Sequence, residues 1–199
     1  FTREPFDEVR YLAEQGVAVD AEPNRRIREL EAPVRKSATE QANKTPGATD
    51  VEAALPHLQQ LDEALATWDR DGVAPKQYEY ALGSQLDALE RVLRCPGIDV
   101  ESPLIPLALS AIRAGAFHSS PEAGPGVEES LDDGHIIWGC SSPRIAAAEV
   151  VMRITPLPGA YTPEVRFWIL NLSSDPVPAV RYQIASRLNA LWDVDRDLM

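Results

Sequence analysis

The stretch 162–191 constrains the fold most, because it encodes two short amphipathic segments joined by a tight turn. Thr162 followed by Pro163 is typical of a helix start, since a hydroxyl can cap and a proline loses no hydrogen bond at the first helical position. Asp175-Pro176 repeats this chemistry and predicts a second start. Each predicted helix has a wider apolar face than its partner can cover, so we expect a further layer of helices. The stripes are Val165, Trp168, Ile169 and Leu172, then Val177, Val180, Ile184, Leu188 and Leu191.

Helix-start prolines and apolar stripes recur along the whole chain. A helix is predicted over 2–15, with Phe6, Val9, Leu12 and Ala13 on one face. The only strand-like run, 135–138, has no partner. The pattern therefore predicts an all-α protein of seven to nine helices. Predicted first helical positions are Pro23, Pro75, Pro103, Pro143, Pro163 and Pro176, and Asp50 is the predicted cap of the third helix.

A second feature of 162–191 is its resemblance to a known repeat family. Asp175 in the turn, followed by Val180-Arg181 and Ile184-Ala185, resembles the second half of a HEAT repeat. Residues 142–151 resemble another such helix, and Arg144 precedes Arg181 by roughly one HEAT or armadillo period of about 40 residues. The position one such spacing before Asp175 holds Trp138, so the turn aspartate is absent there.

The resemblance implies an α-α superhelix, a HEAT-like helical solenoid. It also implies that Asp175, Arg181 and Arg144 belong to a ladder of ion pairs that supports the stack. We expect antiparallel helical hairpins over 1–97 and the HEAT-like region over 98–199, or alternatively one continuous helical domain. Residue 1 is Phe, and a helical lead-in follows Trp192. We therefore expect a fragment of a larger protein.

No recognisable catalytic motif occurs in the sequence, so we predict no enzyme site, metal or cofactor. His118, His135 and Cys140 share the irregular stretch 118–142, either as zinc or nucleophile candidates or as ordinary loop residues. A structural zinc site requires four ligands in paired short spacings, which favours the second interpretation. The acidic residues at 128, 129, 132 and 133 are interpreted as a solvated loop. The basic stretch is a candidate phosphate-binding face or, preferably, a solvated helix face, and it contains Arg25, Arg26 and Arg28.

The net charge of −12 limits the class of partner. It disfavours nucleic acid and anionic membranes, and it suits a protein partner with a basic surface. No apolar run is long enough to span a membrane. Two cysteines do not form a disulfide framework, which indicates reduced thiols in the cytoplasm.

The prediction is a helical scaffold that binds a protein partner. The alternative is a regulatory or linking region of a multidomain enzyme, such as an NTPase or signalling protein, whose chemistry lies outside these residues.

Overall fold

The computed structural model describes residues 7–40, 44–122 and 142–199. Within these ranges the chain contains no strand, which confirms the all-α prediction. The sequence also predicts one helical turn over 127–131, and both this segment and the strand-like run 135–138 lie outside the described residues. Two short 3₁₀ helices, Leu188–Leu191 and Arg196–Leu198, follow the last α-helix. The α-helices are α1 (Glu8–Glu14), α2 (Glu22–Glu40), α3 (Ala48–Leu65), α4 (Pro75–Val92), α5 (Leu104–Gly115), α6 (Pro143–Ile154), α7 (Pro163–Ser173) and α8 (Pro178–Ala185).

The helices pack in an alternating order. Helix α2 contacts α4, α4 contacts α6, and α6 contacts α8, so the even-numbered helices form a continuous series. The odd-numbered helices lie beside this series, with α3 against α2, α4 and α5, and α7 against α6 and α8. Packing therefore continues across residue 97, because α4 touches both α5 and α6. None of the described helices is long and apolar enough to cross a membrane.

One hydrophobic core joins the even-numbered helices. It extends from Ile27 on α2 to Leu191 in the first 3₁₀ helix. Trp168 on α7 is buried, as its place in the apolar stripe predicts. Helix α5 is apolar around most of its circumference and is buried against α3, α4 and α6. Gly115 at its end permits close approach, because a Cβ there would lie 3.0 Å from the Cβ of Ala147.

Prolines mark several helix starts at the predicted positions. Pro75, Pro143 and Pro163 are the first residues of their helices. The Thr162 hydroxyl accepts a hydrogen bond from the Val165 N–H, as a capping residue should. Pro23 is instead the second residue of α2, and Pro103 precedes α5.

The predicted start of the last helix at Asp175-Pro176 is wrong by two residues. Helix α8 begins at Pro178, and its N-cap is Val177. A residue that precedes proline is disfavoured in the helical region, so Val177 adopts an extended conformation with φ −84° and ψ 118°. The helix therefore cannot begin before Pro178. The Asp175 carboxylate accepts a 2.8 Å hydrogen bond from the Val177 N–H.

Two other expectations at helix starts are corrected. Gly47 is the N-cap of α3, and Asp50 lies one turn inside, where its carboxylate accepts a 2.9 Å hydrogen bond from the Gly47 N–H. Helix α1 begins at Glu8 after the cap Asp7, while residues 1–6 lie outside the described ranges. Of the predicted apolar face of α1, Leu12 is buried whereas Val9 and Ala13 are exposed, and Glu8 is the other buried residue of this helix.

Candidate functional site

A buried carboxylate on α4 forms the centre of a line of charged side chains. Glu90 is only 3% exposed. Arg94, one turn further along α4, donates to both of its carboxylate oxygens at 3.1 and 2.6 Å. Arg153 on α6 donates a third hydrogen bond of 2.8 Å. Burial alone would raise the pKa of Glu90, but the hydrogen bonds from these two arginines lower it below its usual range.

A second ion pair continues the line from α6 to the segment that follows α8. Arg187 donates a 2.8 Å hydrogen bond to Glu149 on α6. Burial raises the pKa of Glu149, and the negative charges of Glu90 and Asp87 raise it further, against the opposing effect of Arg187. Glu149 and Arg187 each keep about a quarter of their side-chain surface exposed. This pair is therefore accessible to a ligand, and its carboxylate is incompletely compensated.

The line reaches α2 at its other end. Glu31 is fully buried, and the Nε of Arg35 lies 3.1 Å from its carboxylate. Interaction with the Ser84 side chain on α4 lowers the pKa of Glu31. Burial is the larger effect, and with the nearby charge of Glu8 it raises the pKa of Glu31 to about 7. A fully buried acid therefore connects α2 with α4.

These side chains link each successive pair of even-numbered helices, and we call them the polar row. Polar contacts join α2 to α4, α4 to α6, and α6 to the segment after α8. The partly exposed arginines offer N–H donors, and the partly exposed carboxylates offer acceptors. Such a surface can bind the side chains and backbone of a polypeptide. The polar row comprises Glu31, Arg35, Tyr80, Ser84, Asp87, Glu90, Arg94, Glu149, Arg153 and Arg187.

The predicted ladder residues come together at the turn between α7 and α8. The Nε of Arg144 on α6 lies 3.3 Å from the carboxylate of Asp175, and both residues are largely buried. Arg144 also donates to the carbonyl of Pro121. Arg181 donates to the backbone carbonyls of Asp175 and Pro176, at 2.7 and 3.0 Å, rather than to a carboxylate. Two arginines one repeat spacing apart thus converge on one turn.

The three arginines of the basic stretch have separate environments. Arg25 is exposed and pairs with Glu22, and it lies 3.8 Å from Glu29. Arg28 donates a 2.7 Å hydrogen bond to the carbonyl of Val19. Arg26 lines a cavity of about 260 Å³ at the edge of α2 and α3. Arg25 and Arg28 are therefore engaged by other groups of this chain.

The candidate metal and nucleophile residues are described only in part. Among the described residues, no group of three or more His, Cys, Asp and Glu side chains could hold a metal ion. The Nδ1 of His118 accepts a 3.0 Å hydrogen bond from the Ser120 N–H, and burial lowers its pKa. Cys95 is a buried free thiol. His135, Cys140 and the acidic residues at 128–133 lie outside the described ranges.

Sequence reasoning missed the polar row, although a signal was present. Glu31 occupies a position within the apolar stripe of α2, four residues after Ile27 and three before Val34. Glu90 likewise follows Leu86 by four residues on α4. A charged residue inside a buried stripe requires a partner from another helix, because an unpaired buried charge is strongly unfavourable.

The chain matches no protein-family model, no curated protein and no solved structure. Function is therefore inferred from the side chains of the polar row and from the packing of the helices that carry them.

Proposed function

We propose that this chain is a non-catalytic helical-repeat scaffold of the HEAT-like superhelix type, whose polar row binds a basic surface of a protein partner. The superhelix is supported by the alternating packing, in which α2, α4, α6 and α8 contact one another in series. The contact between Arg144 and Asp175 also supports it, since it joins one repeat-like unit to the next. In such stacks one row of helices presents an extended binding surface.

The environment of Glu149 is the observation that carries the choice of partner. Its pKa is raised mainly by burial, with further contributions from the negative charges of Glu90 and Asp87. Arg187 opposes this effect without cancelling it. A lysine or arginine side chain of the partner would add the missing positive charge and would bind favourably there. The net charge of −12 also attracts a cationic partner from a distance.

The same proposal places the module in the cytoplasm and assigns it no cofactor. A reducing compartment suits the free thiol of Cys95. The polar row offers hydrogen-bond donors and acceptors, and its carboxylates Glu31, Glu90 and Glu149 each lie beside an arginine. Binding is the chemistry that this arrangement suits.

A peptide-display selection on the purified chain tests the proposal. Random peptides are selected for binding at physiological ionic strength, and their charge is compared with that of the unselected library. We expect enrichment of lysine and arginine, and an affinity that falls as salt is added, because exposed charges are screened. Enrichment of acidic peptides, or of apolar peptides whose binding is insensitive to salt, would contradict the proposed partner.

A further inference from the structure

Two carboxylates from different helices share one guanidinium at the α2 end of the polar row. The Nη2 of Arg35 donates a 2.6 Å hydrogen bond to Glu8 of α1. The Nε of the same arginine lies 3.1 Å from Glu31 of its own helix. Glu8 is 8% exposed and Glu31 is fully buried. A single positive charge therefore serves two acids, neither of which has substantial contact with water.

Helix α1 is attached to the rest of the chain by few groups. It has seven residues, of which only Glu8 and Leu12 are buried. Its C-terminal turn contributes Val17, whose N–H bonds the Leu12 carbonyl at 3.0 Å across Gly16. The ring of Tyr11 packs against Tyr80 of the polar row, with centroids 6.4 Å apart. Helix α1 thus lies over the α2 end of the polar row. Among the described residues, the pair of Glu8 with Arg35 is the one ion pair that joins α1 to the polar row.

The charge state of Glu31 determines whether Arg35 is shared. Burial and the charge of Glu8 raise the pKa of Glu31 to about 7. When Glu31 is protonated, Arg35 is available to Glu8 alone. When Glu31 is ionised, two buried negative charges compete for one partner, and repulsion between them adds to the desolvation cost. The other groups that act on these two acids are Asp7 of α1, Arg28 of α2, and Ser84 and Tyr80 of α4.

We propose that α1 is a proton-controlled cover of the polar row, docked by the Glu8–Arg35 pair when Glu31 is protonated and released when Glu31 ionises. Glu8 is the acid that moves, because it belongs to a short helix with little buried surface, whereas Glu31 is fixed inside the contact of α2 with α4. When α1 is released, the Glu8 carboxylate becomes hydrated and Arg35 pairs with Glu31 alone. The role as a cover rests on the proposed function of the polar row, but the docking equilibrium is a property of the chain alone.

Amide hydrogen exchange on the chain without any partner tests the docking equilibrium. Protection factors of the α1 amides are compared at pH about 5.5 and about 8.5, after correction for the intrinsic pH dependence of exchange. In the wild-type chain we expect protection to fall at least about tenfold at the higher pH. Glu31→Gln should keep α1 protected at both values, because glutamine mimics the protonated acid. Glu8→Gln should leave α1 weakly protected at both values. The amides of α7 are the internal control, since no group of this cluster contacts them.

Two results would overturn the proposal. The first is that the protection factors of the α1 amides in the wild-type chain do not change with pH. The second is that these protection factors fall at high pH in the Glu31→Gln variant as well. If that variant does not fold, a carbon-13 titration of the Glu31 carboxyl in the wild-type chain replaces it. The pH midpoint of this titration should coincide with the pH midpoint of the chemical-shift change of the α1 amides. Separate midpoints would exclude a coupling between ionisation of Glu31 and release of α1. Because no partner is present, failure here is distinct from failure of the proposed binding function.

Discussion

Arg153 on α6 donates a 2.8 Å hydrogen bond to Glu90 on α4, across a contact between two even-numbered helices. Arg94 holds the other oxygen of the same carboxylate at 2.6 Å. Glu90 is buried, whereas Arg94 and Arg153 are each about one third exposed. The negative charge of Glu90 between the two helices is therefore neutralised by arginines that also reach solvent. The polar row is therefore at once a structural element and an accessible surface.

Replacing Arg153 with glutamine should destabilise the contact of α4 with α6. The change removes one charge-assisted hydrogen bond to a buried carboxylate, which contributes about 1.5–3 kcal/mol. For a chain of this size that loss lowers the melting temperature by several degrees.

The matched control is Arg113→Gln, which breaks another ion pair between helices. Arg113 on α5 binds Glu164 on α7, but both side chains are largely exposed. An exposed pair contributes less than about 1 kcal/mol. Thermal unfolding of the two variants followed by circular dichroism makes the comparison. Equal losses would mean that burial of Glu90 does not strengthen its pair.

Asp175 should matter for stability through two separable contacts. Asp175→Asn keeps an oxygen that can accept from the Val177 N–H but removes the charge beside Arg144. Asp175→Ala removes both contacts, at a cost of about 1 kcal/mol for the lost cap-like bond and about a further 1–3 kcal/mol for leaving Arg144 without its carboxylate partner. Urea unfolding should rank the alanine variant below the asparagine variant, and both below the wild type. Unchanged stability with lost peptide binding would place this turn in the binding surface instead.

The stability of the chain should depend on pH through Glu31. Its pKa is raised from 4.5 to about 7 in the folded state. Its contribution to stability is therefore fully present below about pH 4.5 and is lost as the pH rises through 7. The whole loss is on the order of 3 kcal/mol.

The variant Glu31→Gln isolates this effect from the other titrating groups. Its free energy of unfolding, relative to the wild type, should increase between pH about 5 and about 8. Urea unfolding at both values measures the difference. A constant difference would show that Glu31 titrates normally in the folded chain.

Gly115 should not tolerate a side chain. A Cβ at this position would lie 2.8 Å from a methyl group of Leu86 and 3.0 Å from both Ala147 and the Pro143 carbonyl. Overpacking of this kind costs about 1–3 kcal/mol, so Gly115→Ala should lower the melting temperature by several degrees. The control Gly47→Ala places its Cβ 3.9 Å from the nearest atom and changes only a helix cap. A stable Gly115→Ala chain would mean that α4, α5 and α6 separate easily.

The helices could be predicted from sequence wherever the local chemistry was decisive. A capping residue before a proline fixed the start of α7, and the proline alone fixed the starts of α4 and α6. The start of α8 was missed because two prolines compete there, and the restriction that Pro178 places on Val177 excludes the earlier start. Local signals of this kind do not depend on the rest of the fold.

The candidate site was not predictable in the same way. Glu90 and Arg153 lie on different helices, and nothing near either residue in the sequence specifies the other. The position of Glu31 within an apolar stripe indicated a buried acid, but the second acid that shares Arg35 with it, Glu8, comes from a separate helix. Sequence patterns report which face of a helix is buried, whereas the pairing of buried charges depends on which helices meet.

The most direct test of the account is the affinity of a selected basic peptide for two matched double variants. Asp87→Asn with Glu149→Gln removes two negative charges from the polar row, and Glu52→Gln with Glu63→Gln removes two from the exposed surface of α3. Both variants have the same net charge, so long-range attraction is equal. The account predicts at least about tenfold weaker binding for the polar-row variant only, since each lost close charge pair contributes on the order of 1 kcal/mol. Equal affinities for the two variants would contradict the assignment of the polar row as the binding surface.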